Sequence, residues 1–303
     1  MKVKYYLFFA IIIISIIQEI KPIIMEPGSF NDLQNKIDNL IDIQFDLNSN
    51  YIFNLDGDKD TGIIIKKSLI INGNNNEING LNKSKIFEIS NANVTLRNIN
   101  FIFGFSKDFG GSINLINATL EIIDCTFSYN NAHITGGAIN LKNSNLDIRE
   151  CIIKYNIAKD LYSNGGGISS ENSIINIKKT IFSDNSADEG GALYSINTTL
   201  DIYDSIFSNN NVKWYGGAIL SDSELMIDNS TFYNNKAGYK GGAIHTTLSE
   251  FTDNCFLNIN KSIIYNNSAE YGGAISSSNI QFVHIFNSEL YQNNASFGAI
   301  ISK

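Results

Sequence analysis

"KWYGGAIL", Lys213–Leu220, decides how the rest of the chain is read. Two glycines stand before a small residue and an aliphatic one, and near-copies recur on both sides. They are GGSI at Gly110, GGAI at Gly136, GGGI at Gly165 and GGAL at Gly190, then GGAI at Gly216, Gly241 and Gly272, with a degraded FGAI at Phe297. The starts are 26, 29, 25, 26, 25, 31 and 25 residues apart. Self-similarity with a period of about 20–50 residues marks a repeat array. A phosphate-binding loop needs a strand before its glycines and a helix after them. Here the glycines lead into strand-like sequence, time after time. They are read as corners, where glycine takes positive φ without steric cost and lets backbones approach closely.

A second element sits inside each repeat. Two aliphatic residues two apart are followed, seven after the first, by a phenylalanine or a large aliphatic. Leu120, Ile122 and Phe127 show it, as do Leu200, Ile202 and Phe207, and Val283, Ile285 and Leu290; Val94, Leu96 and Phe101 precede the first glycine pair. Spacing by two with β-branched residues is a strand signal. Three residues after the third anchor stands an asparagine: Asn130, Asn156, Asn185, Asn210, Asn235, Asn267 and Asn293. Each unit therefore reads as three short strands, opened by the glycine pair, continued by the L-x-I pair and closed by the F-x-x-N element.

Such a unit buries its apolar faces only when stacked on the next copy. The pattern predicts an all-β fold, a right-handed parallel β-helix of about 25 residues and three short strands per turn. Its asparagines are expected to take the left-handed conformation at a bend and to form a ladder. Upstream, "SFNDLQNKIDNL" carries a variant capping box, Ser29 with Asp32, followed by Phe30, Leu33, Ile37 and Leu40 at helical spacing. An N-terminal capping helix over the open end of the first coil follows from it. Residues 51–100 read as irregular early turns, and no cap is visible after the last motif. The chain divides into 1–22, a signal peptide or uncleaved anchor; 23–45, the capping-helix region; and 46–303, the β-helix repeats.

The first segment has Lys2 and Lys4 followed by an uncharged run, Tyr5 to Ile17. That run is short for the roughly 20 residues of a membrane span, which favours secretion to the medium or the cell surface. No small-x-small cleavage site follows Ser15, so an anchor stays open. The whole chain of 303 residues has a net charge of −8, with Arg97 and Arg149 as its arginines. A nucleic-acid binder carries a basic stripe; this chain has none, and that class is set aside. Membrane contact is expected only through the N-terminal segment, if it is retained.

The alternation of GGAI with F-x-x-N, strict at Phe127–Asn130, Phe182–Asn185, Phe207–Asn210 and Phe232–Asn235, resembles the repeats of polymorphic outer-membrane proteins first described in chlamydiae. With "SLIINGNNNEING" upstream, the chain is also similar to adhesin-like surface proteins of methanogenic archaea. The resemblance covers about residues 50–303 and implies a surface-exposed β-helix with adhesive roles, without the C-terminal β-barrel of the chlamydial proteins. Its motifs are structural and carry over no functional residue. It implies a non-catalytic interaction protein whose partners are glycans or proteins on a host or neighbouring cell.

The competing reading is a carbohydrate-active enzyme, a polysaccharide lyase or hydrolase, on the same scaffold. Such enzymes need converging carboxylates and a basic residue. His133, His245 and His284 occupy unrelated places in their repeats. No catalytic, cofactor-binding or metal-binding residue is assigned, and no cofactor is expected. "DGDKDTG" spaces Asp56, Asp58 and Asp60 like a calcium loop but has Thr61 and Lys67 where an EF-hand has Gly and Glu; a polar turn is preferred. The outward column Glu121, Asp147, Asn176 and Asp201 reads as a solvated face or a weak cation site. Cys125 and Cys151 fall at one repeat position, pointing inward, as stacked thiols or, with poorer geometry, a disulfide. The ligand-contact candidates are Trp214, Tyr215, Tyr239 and Tyr271, beside the glycine corner in three successive repeats, where ordinary corner packing is the plainer reading. The insertions at Lys159–Asn164 and Thr246–Asn254 are the other places for specificity. N-x-S/T triplets occur at eight asparagines, Asn93 and Asn117 among them.

Overall fold

The computed structural model describes residues 26–248, 255–278 and 282–302. The signal or anchor segment 1–22 and most of the second insertion lie outside them. The rest is a parallel β-solenoid of about 10 turns and about 26 residues per turn. One turn shows the build. Ile113–Ile116 belongs to sheet I, Thr119–Ile123 to sheet II and Thr126–Ser128 to sheet III. Asn131–Ala132 then adds a strand to sheet IV. Sheets I to III have ten strands each and sheet IV has eight, all paired turn to turn in parallel.

The three strands expected per turn are thus joined by a fourth. It is the segment after the ladder asparagine, two to five residues long, and its shortest copies leave no room for alternation. Residues 51–100 also form regular turns rather than irregular ones. Phe87–Ser90, Asn93–Arg97 and Asn100–Ile102 pair in register with the first full repeat.

The anchors face inward as their spacing requires. Leu120, Ile122 and Phe127 have no exposed surface, and the same columns continue through Leu200, Ile202 and Phe207. Phenylalanines stack directly along the axis: Phe182, Phe207 and Phe232 lie with centroids 4.8 and 4.6 Å apart and planes within 2°. The apolar interior is therefore one continuous column.

Each corner is made by one residue in the left-handed region. In the turn above these are Asn117 (φ 50°), Asp124 (φ 52°), Tyr129 (φ 58°) and Gly136 (φ 65°). The two glycines of a pair do different jobs. Gly216 supplies the positive φ of 67°. A Cβ on Gly217 would sit 2.0 Å from the carbonyl oxygen of Gly242 in the next turn, so only hydrogen fits there. The last repeat is displaced by one residue from the sequence reading. Ile301 pairs with Ile275 and Phe297 with Tyr271, so Gly298 (φ 63°) is the corner and Phe297 precedes it.

At three of the four corners the residue after the left-handed one points inward, and through most of the solenoid these residues form polar ladders. Asn210 is fully buried. Its Oδ1 accepts from the backbone N and the Nδ2 of Asn185, and its Nδ2 donates to Asn235 Oδ1 and to the Phe182 carbonyl. The ladder runs from Asn130 to Asn293 with the same bonds. The left-handed residue is the one before the asparagine, such as Asn209 or Tyr155, and not the asparagine itself as the sequence reading had it. Two further ladders escape the sequence reading. At the sheet I–II corner the backbone N–H groups of Ser144, Ser173 and Thr198 donate to Ser173, Thr198 and Ser223 hydroxyls. At the sheet II–III corner those of Thr180, Ser205, Ser230 and Ser262 donate to the next serine.

Helix α1, Phe30–Asp38, begins with the predicted capping box of Ser29 and Asp32. Phe30, Leu33 and Ile37 are buried on the first turns. Gln34 pairs with the backbone of Ile64 through both amide atoms, at 3.0 and 2.7 Å. That occupies polar groups on the edge strand of sheet I, an edge otherwise open to pairing.

Candidate functional site

The four aromatic candidates do not act alike. Tyr215, Tyr239 and Tyr271 form a continuous edge-to-face row, with centroids 5.6 and 5.3 Å apart. Phe297 extends it by stacking on Tyr271 at 4.8 Å. The sequence reading missed Phe297 because the motif there had lost a glycine and was aligned one residue early. Trp214 stands aside from this row, half-exposed, with Lys213 Nζ 4.8 Å from its ring centroid. Lys240 Nζ lies 5.6 Å from the Tyr239 ring. Cations over aromatic faces are favourable contacts.

In register the column runs Phe109, Thr135, Asn164, Glu189, Tyr215, Lys240 and Tyr271, so three polar residues precede Tyr215 and Tyr239 joins the row from the place before Lys240. Burial, then the neighbouring Asp188, raises the Glu189 carboxyl above its ordinary range. Burial also raises the Tyr215 hydroxyl, with Glu189 and Tyr239 adding to it. Beneath the row, the buried His245 ring stacks on Tyr215 at 5.2 Å. Burial and then Lys240 push its pKa down to about 4. It is a neutral imidazole at pH 7.

The other candidates separate into structural roles. Asp58 binds the start of helix α1: it accepts from the backbone N–H groups of Phe30, Asn31 and Asn54 at 2.9, 2.8 and 2.7 Å. "DGDKDTG" is therefore a turn that ties the helix down. In the acidic column, Arg149 binds Glu121 at 2.6 Å and approaches Asp147 at 3.9 Å, while Arg97 stands 4.0 Å from Glu121. The two arginines thus offset the stacked carboxylates. No group of three or more His, Cys, Asp or Glu that would hold a metal occurs among the described residues.

The histidines fall on different sheets. His245 lies in sheet I and His284 in sheet II, while His133, just past its sheet IV strand, pairs with Asp160 at 3.6 Å on the surface. Cys125 and Cys151 are free, buried members of the sheet II–III corner ladder, where each accepts a backbone N–H from the turn before. Burial pushes the Cys151 thiol up to about 12 and raises Cys125 as well. Cys255 holds the matching place at the sheet I–II corner and contacts the Ser223 carbonyl. In the first insertion Leu161 and Tyr162 are the most exposed apolar residues.

Among the described residues no helix is long and apolar enough to cross a membrane. No curated protein and no solved structure matches the chain. A family model does match, over residues 179–196, 204–222 and 229–247: the Chlamydia polymorphic membrane protein repeat. These segments contain the glycine corners of Gly190, Gly216 and Gly241 and the start of the aromatic row. The chain is a parallel β-solenoid that carries the Chlamydia polymorphic membrane protein repeat.

Proposed function

We infer that the protein is an adhesin-like, non-catalytic interaction protein of the cell surface, exported by its N-terminal segment. The observation that carries this reading is the row Tyr215, Tyr239, Tyr271 and Phe297, with Trp214 beside it. Aromatic side chains supply large rigid contact area at low entropy cost and are favoured at recognition surfaces. The solenoid sets them one per turn on a backbone that needs no rearrangement to bind. The matched repeat, found in a family of membrane proteins, supports the surface location. The ligand is a glycan or protein of a host or neighbouring cell.

The test is binding of the full chain to a glycan array and to intact cells, before and after Trp214→Ala, Tyr239→Ala and Tyr271→Ala. Loss of binding with an unchanged circular dichroism spectrum is the expected result. Unchanged binding by all three variants removes the aromatic row from the function. Turnover of pectin or alginate by the wild-type chain would replace the non-catalytic reading with an enzyme.

A further inference from the structure

A second surface, on the far side of the glycine corner, has the makings of a binding groove. It is a shallow cleft of 450 Å³ at the sheet I–II corner, running across successive turns. Two parallel rows of side chains line it. Asn91, Asn117 and Asn143 are the left-handed corner residues, with φ of 53°, 50° and 51°. Asn93, Thr119 and Asn145 open the sheet II strands and pair in register.

Three features of this cleft point to one class of ligand. No ionisable side chain lines it, although the protein carries 22 basic and 30 acidic residues. Phosphates and metal ions therefore find no counter-charge there. The five asparagine amides and the Thr119 hydroxyl make no hydrogen bond within the described protein, whereas the one polar side chain between the rows, Ser144, does. It donates to Lys142 O at 2.7 Å and accepts from Ala118 N at 3.2 Å. Each free amide offers two donors and an acceptor, and the corner backbone fixes where it sits.

The third feature is the repeat itself. Equivalent amides recur at the spacing of parallel strands, about 4.8 Å, close to the length of one hexose unit in an extended chain. A polyhydroxylated chain laid along the axis meets a corner amide at every sugar, with a second amide or the Thr119 hydroxyl beside it. We propose that this groove binds an extended, uncharged polysaccharide, one sugar per turn. The site is separate from the aromatic row and does not depend on it.

The test is titration of the full chain with mannan and with N-acetylglucosamine oligomers, and with alginate as a charged comparison. Two double variants remove the amides: Asn117→Gly with Asn143→Gly, which keeps the left-handed corners, and Asn93→Ala with Asn145→Ala. In the second row Ile174 and Thr199 occupy the equivalent places of later turns, so the fold tolerates other residues there. The expected result is saturable binding of a neutral saccharide that both double variants weaken at least tenfold. Absence of binding to both neutral probes overturns the proposal, as does binding that survives both double variants. Tighter binding of alginate than of either neutral chain overturns it too. So does mass-spectrometric detection of a glycan attached to Asn93 or Asn117, which would make the groove a modification site.

Discussion

Removing one rung from the asparagine ladder tests the account of the fold most directly. In Asn210→Ala the backbone N–H of Asn185 loses its acceptor, and its Nδ2 keeps only the Ile153 carbonyl at 2.9 Å. Two buried donors are left with a missing bond. An orphaned buried donor costs about 1–3 kcal/mol, so the substitution destabilises by about 2–6 kcal/mol. Asn210→Asp keeps both acceptor bonds but sets an unprotonated oxygen against Asn235 Oδ1 and the Phe182 carbonyl. Burial and those two facing acceptors raise its folded pKa above the unfolded value of about 3.9. Its stability is then greatest below that value and falls as pH rises through the folded pKa. Asn293→Ala serves as the control. It removes the same acceptor from Asn267, but at a partly exposed site where water replaces it, so about 1 kcal/mol is expected. The assay is hydrogen exchange of the Asn185 amide combined with urea denaturation from pH 4 to 8. A cost for Asn210→Ala no greater than that for Asn293→Ala, or an Asp variant with the pH profile of the wild type, would remove the ladder as a source of stability.

Two shorter expectations follow from the same geometry. Burial pushes His245 down to about 4 in the fold, against an ordinary histidine value of about 6.5, so its neutral form stabilises the fold fully above pH 6.5. That stability is lost as pH falls toward 4, by about 3 kcal/mol in all. His245→Leu, which copies Leu220 of the preceding turn, should flatten the stability curve in that window; an unaltered curve defeats the assignment. Gly217→Ala places a Cβ 2.0 Å from the Gly242 oxygen and 2.8 Å from two backbone atoms of Lys236. It should lower the thermal midpoint in line with a loss of about 1–3 kcal/mol, while at Gly57, where an added Cβ meets nothing closer than 3.8 Å, the same change should do little.

The period, the three anchor strands and the glycine corner were legible in the sequence because each recurs with one class of residue at a fixed offset, and the capping helix because its capping box and apolar spacing are local signals. The serine and threonine ladders were not. Cys151, Thr180 and Ser205 accept the same backbone bond through different atoms, so the column has no common letter. The left-handed corner before the ladder asparagine was hidden for a related reason. Tyr129, Asp184 and Gln292 all hold it, because the backbone bonds of the neighbouring turns fix the conformation whatever side chain is attached. At the candidate site, the aromatic residues were visible but their grouping was not. Whether Trp214 joins the row depends on which way a side chain leaves the corner, and Phe297 joins it only once the last turn is in register. The amide groove was open to detection, since an asparagine stands three residues before the first anchor at Asn91, Asn117, Asn143, Asn172 and Asn197. The abundance of asparagine elsewhere concealed it.

The three side-chain ladders all run the same way. In each, an N–H of one turn donates to an oxygen or sulfur of the turn that follows it in sequence. A slice across the solenoid therefore has two unlike faces, one showing corner donors and the other showing their acceptors. A turn copied or deleted whole brings a donor face against an acceptor face and restores every rung, however long its loops. A cut that does not span a full turn leaves buried N–H groups unmatched, and those are the polar groups that folded proteins tolerate least. The length of such a protein is thus quantised: repeats are gained or lost as whole turns, and any site on its flank is carried along the axis by the same step.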